Sequence, residues 1–129
     1  MRITAVVGTR PQIIKLAALR PRLTAPIEPF VIDTAQHHDE VLAGQIYRDL
    51  GMAPPDLLLP EPGELYGAQR LDAMIRALVA ALVQSNPDAV VVFGDTDSTL
   101  AGALAAQDRG AAVVHVEAGV RSGDLTMPE

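Results

Sequence analysis

Two acidic residues follow apolar runs of the sequence that are typical of buried strands. Asp95 comes after residues 90–93, and Glu117 directly follows Ala112–Val116. Residues 100–107, between the two runs, are rich in alanine and leucine and predict a helix. A strand, a helix and a second strand of these lengths form a right-handed βαβ unit, whose parallel strands end at one edge. Because open parallel sheets bind ligands at that edge, both carboxylates are candidates for proton transfer.

Each acid also has a purely structural interpretation. Asp95 precedes a helix, and aspartate commonly caps the first turn of a helix. Glu117 ends a strand, where Arg121 offers a simple ion-pair partner. An acid that directly follows an apolar strand is expected to be partly buried, which suits proton transfer. The two residues taken alone leave the structural and the catalytic interpretation open.

Basic residues follow the first predicted strand at the same edge of the sheet. The segment Gly8-Thr9-Arg10-Pro11 opens a helix, and the amides of a helix N-terminus attract anions. Arg10 and Lys15 add positive charge there, although the spacing fits a surface role for Arg10 equally well. The segment does not match the glycine fingerprint of dinucleotide-binding folds.

The loop after the second predicted strand is polar and reads Gln36-His37-His38-Asp39. Adjacent histidines in a loop point in different directions, and the sequence offers no second cluster of metal ligands. A loop that faces a ligand is therefore favoured over a metal site.

The remaining sequence predicts a doubly wound α/β fold. Buried strands are expected over residues 3–7, 30–32, 57–59, 90–93 and 112–116. Helices are expected between these strands. Pro21 should end the first helix near Arg20, and the other helices are expected over residues 41–50, 65–83 and 100–107. This alternation indicates a parallel sheet with the strand order 3-2-1-4-5. The ligand cleft would then open where strands one and four part.

Composition excludes several classes of protein. The 129 residues are 49% hydrophobic, which is enough for one domain with a core. The formal net charge of −6, without a basic run, disfavours nucleic acid and membrane surfaces as partners. The sequence has no cysteine, which rules out disulfides and thiolate metal sites and fits a cytoplasmic protein. No apolar run is long enough to span a membrane, and residues 3–7 are too short for a signal peptide.

Five motifs taken together resemble the non-hydrolysing UDP-N-acetylglucosamine 2-epimerases. They occur in the order and spacing of that family, at residues 8–15, 34–37, 94–99, 115–122 and 127–129. Each motif is weak alone, whereas the combination is highly specific and spans the chain. The resemblance implies a GT-B architecture, in which two Rossmann-like lobes hold a nucleotide sugar between them.

The resemblance also implies a reaction and a set of site residues. The family inverts C2 of UDP-N-acetylglucosamine by eliminating UDP to form a 2-acetamidoglucal and then adding UDP to the other face. The catalytic acids that the resemblance implies are Asp95, Glu117 and Glu129. It implies Arg10 and Lys15 as cations near the leaving group, and Gln36 and His37 as further substrate-binding residues. No metal ion or other cofactor is implied, and a homodimer is expected for the complete protein.

The chain departs from the family pattern in two respects. The family continues for roughly another two hundred residues. Residues 1–129 are therefore expected to be a truncated N-terminal lobe that is inactive without the second lobe. In addition, the loop Gln36-His37-His38-Asp39 differs from the Gln-His-x-Gln of members that their own substrate regulates. Together with Gln12, this loop favours the branch that acts on UDP-diacetamido uronic acids.

Two functions other than epimerisation are compatible with such a lobe. One is a nucleotide-sugar binding module without turnover. The other is a glycosyltransferase that shares only the fold. Glu117 argues against the glycosyltransferase, because simple glycosyl transfer does not require this pair of acids.

Overall fold

A computed structural model of the chain describes residues 1–36, 40–60, 65–120 and 123, without the side chains of residues 40–43. Its five strands are β1 (Arg2–Val7), β2 (Glu28–Asp33), β3 (Leu57–Leu58), β4 (Ala89–Phe93) and β5 (Ala112–Val116). They form one sheet in the order β3-β2-β1-β4-β5, and the paired strands are parallel throughout. The predicted fold class and strand order are therefore confirmed.

Four α-helices connect the strands: α1 (Arg10–Leu19), α2 (Glu40–Asp49), α3 (Gly67–Ser85) and α4 (Asp97–Asp108). Helix α1 passes into a short 3-10 turn at Arg20–Arg22, where Pro21 was predicted to end it. Helix α4 begins three residues earlier than predicted, at Asp97 rather than Leu100. Its first turn consists of Asp97, Ser98 and Thr99, which are weak helix formers in general but are favoured at helix starts.

Alternate residues of the central strands supply two separate cores. Val6, Val90 and Val92 pack against α3 and α4 on one face of the sheet, with Leu78 and Leu82 fully buried between them. The opposite face packs against α1 and α2 through a second set of buried residues, which includes Ala5, Val7, Val91, Phe93, Ile13, Leu16 and Tyr47. Both faces of β1 and β4 are thus covered, as their continuous apolar sequences predict.

Strand β5 is exposed, and the prediction that it is buried was wrong. The side chains of Val113 and Val114 are 43% and 48% exposed. The cause is position, because β5 ends the sheet and pairs only with β4 in the part of the chain that the structure describes. An apolar, β-branched sequence indicates a strand, but it does not say whether the strand lies inside the sheet or at its edge.

The two central strands part before they end. Strand β1 pairs with β2 as far as Val7 opposite Asp33, and β4 pairs with β5 as far as Phe93 opposite Val116. Between β1 and β4, however, pairing is limited to Ile3–Ala5 opposite Ala89–Val91. The last two residues of each strand diverge, so a cleft opens at the carboxyl edge where strand order reverses.

Candidate functional site

Lys15 and Glu117 form an ion pair at this edge of the sheet. Lys15 lies on α1, and Glu117 is the first residue after β5. The expectation that Glu117 is partly buried was wrong, because its side chain is 46% exposed at the end of an edge strand. Its backbone has a φ of 62°, in the left-handed region that non-glycine residues rarely adopt. The ion-pair partner of Glu117 is therefore Lys15. Arg121, the partner that the sequence suggested, lies outside the described residues.

Asp95 lies on the neighbouring turn, two residues after the end of β4. Gly94 donates its amide hydrogen to Val116 O at 2.9 Å, and His115 Nε2 donates to Gly94 O at 2.6 Å. A Cβ atom placed on Gly94 would be 3.8 Å from Lys15 Nζ, so the ammonium group lies beside this turn. The Asp95 side chain is exposed and makes no polar contact with any residue that the structure describes. The structure therefore brings Lys15, Glu117 and the turn that carries Asp95 together.

The capping interpretation of Asp95 was wrong. The N-cap of α4 is Thr96, the next residue along the chain, and its backbone is extended. The hydroxyl of Thr99 accepts a hydrogen bond from the Thr96 amide at 3.2 Å. Because threonine side chains provide the cap, the exposed carboxylate of Asp95 has no role in starting the helix.

Two amides in the turn that precedes α1 are occupied by a side chain. Gln12 Oε1 accepts hydrogen bonds from the amides of Gly8 at 2.9 Å and Thr9 at 3.2 Å. Gly8 and Thr9 precede the first helical residue, Arg10, so the expectation that the helix N-terminus attracts an anion stays a prediction for the helical amides. Arg10 is exposed on the first turn and makes no polar contact within the described part of the chain. Positive charge for an anion at this point therefore comes from side chains and not from the Gly8 and Thr9 amides.

Gln36 connects the loop after β2 to α4. Its Oε1 accepts a hydrogen bond from the Ser98 amide at 3.0 Å, and its carbonyl oxygen accepts one from Arg70 Nη2 at 2.8 Å. The predicted role of Gln36 in binding substrate stays a prediction, since its carboxamide oxygen is engaged with α4. His37 and Glu129, which were also predicted to belong to the site, lie outside the described residues.

The turn after β1, the loop after β2 and the first turn of α4 meet tightly at Gly8. A Cβ atom on Gly8 would lie 2.1 Å from Thr34 Oγ1 and 2.3 Å from Ser98 Oγ, and these two hydroxyls are hydrogen-bonded at 2.7 Å. The sequence pointed to Gln12 only as a marker of the diacetamido branch, and it predicted no structural role for Gln12, Thr34 or Ser98. A signal was present for Gln12, because Thr9-x-x-Gln12 matches the capping-box pattern of helix starts.

A buried pair of ionisable groups fixes the start of the loop after β2. Asp33 Oδ2 accepts a hydrogen bond from the Tyr47 hydroxyl at 3.0 Å, and its Oδ1 accepts one from the Ala35 amide at 2.9 Å. Burial raises the pKa of Asp33, although the bonds from Ala35 and Tyr47 act in the opposite direction. Burial raises the pKa of Tyr47 as well, and the nearby charge of Asp33 raises it further. The loop that carries Gln36 therefore begins at a buried, hydrogen-bonded carboxyl group.

The described residues include no group of three or more His, Cys, Asp or Glu side chains arranged to hold a metal ion. None of the helices that the structure describes is long and apolar enough to cross a membrane. Within the described part of the chain, the candidate functional groups are therefore the polar side chains at the carboxyl edge of the sheet.

Comparison with known proteins identifies the family. The family model described as UDP-N-acetylglucosamine 2-epimerase matches residues 22–129. The chain belongs to the UDP-N-acetylglucosamine 2-epimerase family. A UDP-N-acetylglucosamine 2-epimerase homolog of Methanococcus maripaludis is 38% identical over 100% of this chain and 36% of its own length. A UDP-2,3-diacetamido-2,3-dideoxy-D-glucuronate 2-epimerase of Pseudomonas aeruginosa is 34% identical over 100% of this chain and 37% of its own length.

A solved structure of a family member shares the fold. The UDP-GlcNAc 2-epimerase of Methanocaldococcus jannaschii, in complex with UDP-GlcNAc and UDP, superimposes with a TM-score of 0.86 at 37% identity. The match covers 100% of this chain and 36% of that one. The chain spans about a third of the length of the relatives it matches. The resemblance seen in five motifs is confirmed, and the fold is that of the N-terminal Rossmann-like lobe of a GT-B enzyme.

Proposed function

We propose that residues 1–129 act as the N-terminal lobe of a UDP-N-acetylglucosamine 2-epimerase. In this proposal the whole protein converts UDP-N-acetylglucosamine to UDP-N-acetylmannosamine by eliminating UDP and adding it back. The observation that carries the proposal is the meeting of Lys15, Glu117 and the Asp95 turn beside the cleft between β1 and β4. Membership of the family supports it, as do the UDP-GlcNAc and UDP bound to the related archaeal enzyme.

The reaction requires acid–base groups that remove a proton from C2 and return one to the opposite face. We assign this work to Asp95 and Glu117, because both lie at the ends of neighbouring parallel strands and are accessible to a substrate in the cleft. Lys15 holds the Glu117 carboxylate in place through their ion pair. Glu129 belongs to the proposal as a third acid on the resemblance alone, and so do the substrate-binding roles of Gln36 and His37.

The leaving diphosphate requires positive charge. We assign Arg10 to it, because Arg10 is exposed at the start of α1 and the adjacent amides are bound to Gln12. A charge-assisted hydrogen bond is worth roughly 1.5–3 kcal/mol, which corresponds to a roughly tenfold to hundredfold change in affinity. Arg10→Ala should therefore weaken binding of UDP by that factor and leave binding of uridine almost unchanged. Equal losses for both ligands would make Arg10 a structural residue.

A related substrate is the second candidate. The loop that begins at Gln36 departs from the Gln-His-x-Gln pattern, and the diacetamido-glucuronate epimerase of Pseudomonas aeruginosa is 34% identical. A UDP-diacetamido uronic acid would undergo the same chemistry at C2. The proposal includes a homodimer for the whole protein and no nucleic-acid or membrane partner. It also includes a cytoplasmic location, for which the cysteine-free sequence is the support.

Direct assay of the protein as its gene encodes it tests the proposal. The protein is incubated with UDP-N-acetylglucosamine, and in parallel with a UDP-diacetamido uronic acid, and the products are separated by chromatography. We expect one of the two substrates to be converted to its C2 epimer. Binding of both without conversion would favour the binding module, and no interaction with either would refute the proposal. The 129-residue chain alone should be inactive and bind UDP-sugars at about millimolar concentration, which corresponds to ~4 kcal/mol.

A further inference from the structure

The cleft between β1 and β4 contains one buried polar side chain that joins its two walls. Gln12 is 2% exposed, although glutamine is seldom buried. It lies on α1, at the level where β1 and β4 no longer pair. A buried carboxamide in a gap between two strands needs partners on both sides, and Gln12 has them.

The carboxamide of Gln12 makes hydrogen bonds with both of its ends. Its oxygen accepts from Gly8 and Thr9, in the turn after β1. Its nitrogen, which has two hydrogens to donate, lies within hydrogen-bonding distance of three acceptors, Phe93 O at 2.8 Å, Thr96 Oγ1 at 2.9 Å and Thr99 Oγ1 at 3.1 Å. One neutral group thus connects the end of β1 to the end of β4 and to the first turn of α4.

The two turns that Gln12 connects carry the proposed chemistry. Arg10 lies between Thr9 and Gln12 in the chain, and Asp95 lies between Phe93 and Thr96. The β-ladder between β1 and β4 ends at Ala5 and Val91, so it does not fix the relative position of these turns. The bond between Thr34 and Ser98 links α4 to the loop after β2 and does not reach the Asp95 turn.

We propose that Gln12 is a positioning residue that holds the Arg10 turn and the Asp95 turn in register. The inference rests on the proposed function, in which Arg10 binds the leaving diphosphate and Asp95 transfers a proton. A displacement of about 1 Å in a reacting group can lower a rate by about a hundredfold. Loss of the carboxamide should therefore affect turnover more than it affects substrate affinity.

The test compares two buried polar residues of β1 and α1 in the protein as its gene encodes it. Gln12→Met keeps the length and burial of the side chain and removes its hydrogen bonds. Thr4→Val is the matched control, because Thr4 is 1% exposed and its hydroxyl bonds only Ser85, at 3.0 Å and away from the cleft. Thermal melting, kcat and KM are measured for both variants. Amide hydrogen exchange is followed over residues 8–12 and 93–99.

We expect Gln12→Met to exchange at least about tenfold faster in both segments and to lose at least about tenfold in kcat. Its KM should change by less than about threefold, and Thr4→Val should match wild type in kcat and in both segments. Gln12→Glu should restore kcat to within about fivefold of wild type. In its protonated form the new carboxyl group can accept from Gly8 and Thr9 through one oxygen and donate to Phe93 O through the other.

A Gln12→Met protein with wild-type exchange in both segments, or with the kcat of Thr4→Val, would overturn the inference. If Gln12→Met does not fold, Gln12→Asn replaces it, because its carboxamide is one methylene too short to reach both turns, and the same results are expected. A wild-type protein without epimerase activity would refute the proposed function instead. The exchange measurement would then still decide whether Gln12 holds the two turns together.

Discussion

Lys15 and Glu117 are 102 residues apart in the chain and form an ion pair between α1 and the end of β5. Their side chains are 33% and 46% exposed. Ion pairs with this much solvent contact stabilise a fold by only about 0–1 kcal/mol. Removing the charge of either residue should therefore change stability little, which allows a catalytic effect to be measured separately.

Glu117→Gln tests whether this carboxylate transfers a proton. We expect kcat to fall by at least ~100-fold while KM changes little, because general acid–base catalysis contributes about 10²–10⁴-fold. The melting temperature should stay near that of wild type, since the lost ion pair is partly exposed. Kinetics and thermal melting of the same preparation provide the measurement.

Asp72→Asn is the matched control for Glu117→Gln. Asp72 pairs with Arg76 one turn later on α3, and both side chains are more than half exposed. This variant removes a comparable surface ion pair and should leave kcat unchanged. If Glu117→Gln turns over as fast as Asp72→Asn, Glu117 does not take part in the mechanism.

Asp95→Asn separates catalysis from helix capping. Thr96, not Asp95, is the N-cap of α4, so the substitution should leave the free energy of unfolding within about 0.5 kcal/mol of wild type. If Asp95 is a proton-transfer group, kcat should nevertheless fall by at least ~100-fold. Stability is measured by urea denaturation and kcat under substrate saturation. Unchanged kcat would leave Asp95 without a role.

Gly8→Ala tests how closely the turn after β1 approaches the loop after β2 and the first turn of α4. The new Cβ would lie 2.1 Å from Thr34 Oγ1, so the Thr34 side chain or the segment that carries it must shift, at a cost of about 1–3 kcal/mol. Gly44→Ala on α2 is the control, because its Cβ would meet only Arg48 Nη1, at 3.5 Å. That control should stabilise the protein by about 0.5–1 kcal/mol. Urea denaturation should therefore show that Gly8→Ala lowers the free energy of unfolding and that Gly44→Ala raises it. Equal changes in the two variants would contradict the packing around Gly8.

Asp33→Asn tests the buried carboxyl group through the pH dependence of stability. Burial raises the pKa of Asp33 in the folded protein above its ordinary value of 3.8, so the folded protein binds this proton more tightly than the unfolded chain. The cost of burying the ionised group is therefore fully present at neutral pH. It disappears as the pH falls through the raised pKa toward 3.8.

The measurement for Asp33 is a difference between two proteins. Urea denaturation of wild type and Asp33→Asn is compared from neutral pH down to about 3.8. We expect wild type to gain stability relative to Asp33→Asn as the pH is lowered, while other carboxyl groups cancel in the comparison. A difference that does not vary with pH would show that Asp33 has an ordinary pKa.

The sequence predicted the architecture well because the signals for it are local. Continuous apolar runs such as residues 90–93 mark strands, and turns rich in glycine and polar residues separate them from helices. The rule that crossovers are right-handed then leaves few possible strand orders, and the predicted order is the observed one. Placing Asp95 and Glu117 at one edge of the sheet followed from the same rules.

The side-chain partners in the site were not predictable in the same way. In the described part of the chain β5 is an edge strand, and the exposure of Glu117 follows from that position, which the residues of β5 do not indicate. Lys15 meets Glu117 only because the sheet brings α1 beside the end of β5. The sequence offered Gln12 as a subtype marker but not as a link between turns, because its partners come from two turns far apart in the chain. Its capping-box spacing was visible in the sequence.

The central claim is that this lobe supports proton exchange at C2 of a UDP-N-acetylhexosamine. It is tested most directly by proton NMR of UDP-N-acetylglucosamine incubated in heavy water with the protein as its gene encodes it. Elimination and re-addition of UDP removes the C2 proton and returns one from solvent. We predict that deuterium appears at C2 in the UDP-N-acetylmannosamine product and in recovered substrate. An epimerised product that keeps its original C2 proton, or a substrate that gains no deuterium, would contradict the account.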